Sequence, residues 1–277
     1  MSTLESTSNG TTLKTGRTIG LAVTRRRVLR SEWIKLRTVR STVVGFAGAA
    51  FALVLLGAIF SSVAGGDAQA GPPGTGADSL SSALGGIQLA QLIIGVLGVL
   101  FVTSEYSSGM IRATLAAVSS RAQILRAKTA VLFATALLVM AVASVVALLL
   151  GNALYAGPGA TYSLADPGVL RAVLGTAVYA AGVGVFGIAL GFLLRSAAGA
   201  IGLLVTLLLV APVLIGLVPG TVGDWISKLL PGNAGQAIMH VTTQSGQLSA
   251  WTGLAVFTVW VLGFLAAAAV ALRRRDA

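Results

Sequence analysis

Six stretches of this chain are apolar over the length a helix needs to cross the hydrocarbon core of a bilayer, roughly 20 residues for about 30 Å. They run approximately over 41–64, 85–103, 129–155, 169–194, 197–218 and 250–272. Backbone groups inside lipid have no water to bond to, so such runs must satisfy their own amides and carbonyls within the segment. The expected fold is therefore an all-α integral membrane protein. Composition agrees. Of 277 residues, 56% are hydrophobic and only 10% charged, and the mean hydropathy is +0.91. Soluble domains carry about a quarter charged residues.

The formal net charge of +11 resembles a nucleic-acid footprint only superficially, because no soluble basic domain is present to read a groove, and no nucleic-acid partner is expected. Topology explains the charge better. With six spans, both termini share one side, and seventeen of the nineteen Lys and Arg residues fall there; Arg171 and Lys228 lie opposite. The positive-inside rule then places both termini in the cytoplasm. Cysteine is absent, which removes disulfides, thiolate metal sites and cysteine nucleophiles. Roughly forty polar residues precede the first apolar run, so no cleaved leader is expected. The Gly- and Ala-rich composition points by association to a bacterial source and its cell membrane.

Residues 1–23 are Ser-, Thr- and Gly-rich without helical period, and are expected to be a disordered cytoplasmic tail. The pattern changes over 24–40. On a helical wheel Val28, Leu29, Trp33, Leu36 and Val39 share one side, while Arg26, Arg27, Arg30, Arg37 and Thr38 share the other. This fits a helix lying in the membrane surface, basic face toward anionic headgroups; the plainer alternative is a solvated basic tail that only enforces orientation. The single transmembrane domain then extends to 272, with a short tail over 273–277.

Between the first two spans, Gly65 to Ala83 reads as an irregular loop. The fourth and fifth runs are separated only by Arg195 and Ser196, which requires a very tight turn. Gly187 and Gly191 have the spacing that lets another helix approach closely, and a seam between two copies is one form this could take. Pro212 is expected to kink the fifth span near its outer end. Val222, Trp225, Ile226, Leu229 and Leu230 recur at helical spacing before Pro231. They suggest two short helices at or dipping into the outer leaflet, with an ordinary external loop as the alternative.

No phosphate-binding loop of the GxxxxGK[ST] type occurs, nor an HExxH motif, and the lone His240 suggests no metal site. No Ser, His and Asp cluster suggests a hydrolase, so an enzyme is not expected. No Asp, Glu, Lys or Arg falls clearly mid-span, where ion-coupled carriers bind their coupling charge. Gln88, Gln91, Asn152, Thr176, Tyr179 and Thr206 are the main polar candidates there, as interhelical glue or as the lining of a path.

One polar connector stands out. Thr103 to Lys128 carries Glu105, Arg112, Arg121, Arg126 and Lys128 between two spans, and it is longer than most helix connections. Its Glu105-Tyr106-Ser-Ser-Gly109-Met-Ile-Arg112 and Leu115-Ala-Ala-Val-Ser-Ser-Arg121 runs, with Ser31-Glu32-Trp33-Ile-Lys35-Leu-Arg-Thr38 before the first span, resemble the permease subunits of the type-2 ABC exporter family. Met110 and Ser119 depart from its pattern, which often has Thr and Pro at these places.

The resemblance implies an exporter subunit that works as a dimer, with a second copy or a paralogue. Each would grip a separate ATPase subunit, with ATP and Mg bound by that partner and no cofactor in this chain. Carried to matching positions, Glu105, Tyr106, Gly109, Arg112 and Arg121 would lie in the segment coupling to the ATPase, and Glu32, Trp33 and Lys35 on the interfacial helix. The competing readings are a stand-alone secondary carrier or channel, and a non-transporting anchor that recruits a cytoplasmic protein.

Overall fold

The computed structural model describes residues 25–70, 79–110, 121–155, 162–241 and 246–274. The tail over 1–23, Arg112, residues 115–120 and those from Arg275 onward lie outside them. Among the described residues the chain is helical throughout, with no strand. In order it forms α1 (Arg25–Thr38), α2 (Arg40–Ala70), α3 (Ser79–Leu84), α4 (Ile87–Ser107), α5 (Arg121–Leu154) and α6 (Val169–Leu194). Then come α7 (Ala197–Val205), a π turn (Thr206–Val210), α8 (Ala211–Gly216), α9 (Thr221–Leu229), α10 (Pro231–Gln236) and α11 (Ala250–Arg274). Among the described residues, six helical stretches are long and apolar enough to cross a membrane: 40–64, 79–107, 122–154, 169–194, 197–216 and 250–274.

The bundle is built around α6. Within its apolar window 83% of the residues are buried, against 17% for the α7–α8 span and for α11. A helix apolar on every side belongs in the interior, and α6 reads that way from Val169 to Phe192. It lies against α4, α5 and α11. Its tightest contact is with α4. A Cβ built on Gly187 would sit 2.2 Å from the carbonyl oxygen of Gly95, and one on Gly98 would sit 2.1 Å from that of Gly184. Without a hydrophobic force between helices in lipid, such backbone approach is what packing has to offer. Gly187 and Gly191 thus pack within the chain, with Gly191 against Val99 and Val102 of α4.

Aromatic rings fasten α11 to the same core. Tyr179 and Phe257 have centroids 5.0 Å apart, and Phe186 meets Phe264 edge-on at 4.9 Å. The turn between α6 and α7 is as tight as expected. Arg195 adopts a left-handed φ of 53° while its amide bonds to the Gly191 carbonyl, and Ser196 Oγ caps α7 through the Gly199 amide. Pro212 lacks the amide that would bond the Leu208 carbonyl four residues back, and the fifth span meets it with the π turn just before rather than with a break.

Three expectations change. The loop read over Gly65 to Ala83 is helical at both ends, because α2 runs to Ala70 and α3 begins at Ser79. Leu80, Ala83 and Leu84 of α3 are buried, which supplies the apolar contact that a Ser- and Gly-rich composition hides. The polar connector narrows too: Thr103 to Ser107 is the last turn of α4, and Arg121 to Lys128 opens α5. At about 1.5 Å per residue the 34 residues of α5 outrun the hydrocarbon core, so its first turns project beyond it. Third, the stripe that α1 turns into the protein is Val28, Glu32 and Leu36, while Leu29, Trp33, Ile34 and Val39 remain exposed.

Candidate functional site

Two helical turns separate Val28 from Leu36, with Glu32 midway, so all three sit above one another on a single face. That face packs on the start of α5, where Val28 clusters with Ile124 and Ala127. Glu32 is thereby carried inward beside Lys128 of α5 and Glu105 of α4. Lys128 Nζ donates to Glu32 Oε2 at 2.9 Å and to Glu105 Oε1 at 2.8 Å. Lys35, one turn after Glu32, donates to Glu32 Oε1 and Glu105 Oε1, both at 2.9 Å. Two carboxylates and two ammonium groups from three helices thus form one cluster with no net charge.

Burial makes this cluster consequential. Glu32, Glu105 and Lys128 are at most 3% exposed, whereas the Lys35 side chain keeps 31%. Lys128 uses its remaining donor on the Phe101 carbonyl at 3.3 Å and lies 4.3 Å above the Phe101 ring. Burial would lower the pKa of Lys35, but its hydrogen bonds to Glu105 and Glu32, joined by their charges, outweigh it and raise the value. Lys35 therefore stays protonated across neutral pH. Removing one member of such a set leaves an uncompensated buried charge, which typically costs about 3–5 kcal/mol.

The other expected site residues gather around the same end. Tyr106 is half-buried, edge-on to Phe192 at 6.4 Å with the Arg195 guanidinium 5.4 Å from its ring centre. It ties the end of α4 to the α6–α7 turn. Gly109 follows α4 with a φ of 70° and, among the described residues, no neighbour within 4 Å of an added Cβ, so the requirement seen there is conformational. Trp33 is exposed on α1. Arg121 opens α5, and Arg112 lies outside the described residues. Glu32, Lys35 and Glu105 are brought together. Glu32 and Glu105 are buried within the cluster.

At the opposite end a second polar group joins different helices. The Tyr179 hydroxyl of α6 donates to Gln91 Oε1 of α4. Gln91 Nε2 donates to Gln88 Oε1 at 2.9 Å, and Gln88 Nε2 to Gln236 Oε1 of α10 at 2.8 Å. Gln236 Nε2 closes the ring toward Gln91 Oε1 at 3.5 Å. This network pins α10, whose Pro231, Gly232, Ala234 and Gly235 are buried, so the second short helix dips into the bundle. The first, α9, leaves Val222, Trp225, Ile226 and Leu229 exposed. Arg171 holds the following strand of chain by donating to the carbonyls of His240 and Val241 at 2.8 and 3.2 Å. Asn152 bonds the Tyr162 backbone, while Thr176 and Thr206 bond only carbonyls of their own helices.

Sequence reasoning named Lys128 as a charge of the polar connector but not as a member of the ionic cluster, and it missed Gln236. A signal for the first was present: Glu32 is the one acid in a basic helix, and it stands between two apolar residues at four-residue spacing. Nothing comparable marks Gln236.

Residues 28–213 match the family model described as ABC-2 family transporter protein. The match begins at the first inward residue of α1 and takes in the whole ionic cluster. It ends within α8, before α9, α10 and α11. The comparison with curated proteins finds no match.

Proposed function

Because the chain belongs to the ABC-2 transporter family, we propose that it is the membrane-spanning subunit of a bacterial exporter that takes its energy from a separate ATPase. ATP and Mg would be bound by that partner. It would work as a dimer, with a second copy or a paralogue, and with both termini in the cytoplasm. The observation that carries this reading is the ionic cluster. It ties α1, the end of α4 and the start of α5 into one body at the basic end of the bundle. A partner pressing on the exposed residues beside it, such as Trp33, Arg37 and Met110, would displace two spans and the surface helix together. The sparsely buried α7–α8 span supplies a face for a second subunit.

The test is co-purification with an ABC ATPase co-expressed with this chain, comparing wild type with a Glu105→Ala, Gly109→Pro double variant. Proline cannot adopt the positive φ of Gly109, and alanine opens the cluster. The expected result is loss of ATPase recovery and of ATP-driven export while the variant still inserts in the membrane. Full assembly and export by the variant would refute the role given to this end. Transport that persists without any ATPase and collapses with the proton gradient would establish a secondary carrier instead.

A further inference from the structure

Beside the ionic cluster lies a cavity of about 360 Å³, between the end of α1, the first turns of α2 and the last turns of α4. Its walls are of two kinds. Val39, Leu97, Leu100 and Phe101 make it largely apolar, and Lys35 and Glu105 supply charge. It sits where the apolar windows of the first two spans begin and end, which is headgroup depth in a bilayer.

The cluster is incompletely bonded. Glu32 uses both carboxylate oxygens, and Glu105 Oε1 accepts from both lysines. Glu105 lines the cavity, and its Oε2 is buried with no hydrogen-bond partner among the described residues. A buried acceptor without a donor is costly, and more so on a charged group. Lys35 spends two of its three donors within the cluster, and it is the member that stays partly exposed. What would complete the arrangement is a ligand with an N–H donor for Glu105 and an anionic oxygen for Lys35. The cluster is already neutral, so a ligand with no net charge fits best.

We propose that this cavity binds a phospholipid whose headgroup carries a primary amine, with the amine serving Glu105, the phosphate serving Lys35 and an acyl chain lying along Leu97 and Leu100. A choline headgroup has the same charges but no N–H donor. A glycerol headgroup has donors but leaves a net negative charge. The inference depends on the depth and chemistry of the cavity and not on the ATPase.

The full chain, purified and stripped of lipid, is titrated with phosphatidylethanolamine, phosphatidylcholine and phosphatidylglycerol of identical acyl chains, and binding is read by native mass spectrometry. A hydrogen bond to a buried carboxylate predicts that the amine headgroup is held about tenfold tighter or better than either other headgroup. Leu100→Trp, at a wall residue that is 42% exposed, should abolish the preference and leave the melting temperature unchanged. Equal binding of the choline or glycerol lipid by wild type overturns the proposal. So does an amine preference that survives Leu100→Trp.

Discussion

The two ends of the bundle each fasten a peripheral helix to the spans, and they do it with different chemistry. At the basic end α1 is held by four charges shared with α4 and α5. At the other end α10 is held by three glutamines and a tyrosine shared with α4 and α6. The α4 helix belongs to both, and its glycine seam with α6 runs between them. The difference follows from surroundings. Lys35 remains partly in contact with solvent or headgroups, so part of the charged cluster escapes full desolvation. Gln91 and Tyr179 are completely buried, where neutral amides and a phenol are far cheaper to desolvate than ions. A charged junction resists removal of any one member. A neutral one tolerates it better.

That contrast is open to a direct test. Lys128→Met leaves Glu32 and Glu105 buried around the single ammonium of Lys35, and should destabilise the chain by about 3–5 kcal/mol. Thermal unfolding in detergent measures it. Adding Glu105→Gln to the same chain should recover a substantial part, because the surviving charges again balance and most of the single-variant loss is an unpaired carboxylate. If the double variant is no better than Lys128→Met, the cluster is not held by charge balance.

The neutral junction should respond more weakly. Tyr179→Phe removes the hydroxyl donor from Gln91 Oε1, which keeps the long contact from Gln236. The expected loss is about 1–2 kcal/mol, in the same unfolding assay. A cost equal to that of Lys128→Met would erase the distinction drawn between the two ends.

How much of this could be read from the chain alone depends on range. The six apolar runs are local signals, and all six correspond to helices able to cross a membrane. The Arg195–Ser196 turn was legible because nothing else separates two spans. The Gly187 and Gly191 spacing announced a close approach but not its partner, since Gly95 and Gly98 lie some ninety residues away and glycine is common in membrane helices. Glu32, Lys35 and Glu105 stood out by resemblance, yet their contact with one another and with Lys128 required the packing of three helices, across 70 and 23 residues of sequence. Wheel analysis did not single out the packed stripe of α1 because it sorted residues by polarity: a buried carboxylate takes its place on the packed face through a lysine that the wheel does not contain. Gln236 is a single amide in a polar stretch, and only the folded chain brings it to Gln88.

The smallest expected effect is a pH response, and at the charged end its sign is set by Lys35. Lys35 has a raised pKa, set by Glu105 and Glu32 against the opposing effect of burial. A base whose folded value exceeds its unfolded one, near 10.4 for lysine, contributes its stability fully below that unfolded value and loses it as pH rises through the higher folded value. The stability difference between wild type and Lys35→Met should therefore be flat from about pH 6 to 9 and shrink only above about 10.4. The difference between wild type and Tyr179→Phe, followed over pH 6 to 9 in the same unfolding series, should also be flat, since the groups around it are amides that do not titrate. A Lys35 contribution that fades between pH 6 and 9 would mean that the ammonium is not held by both carboxylates, and the charged junction would then rest on Lys128 alone.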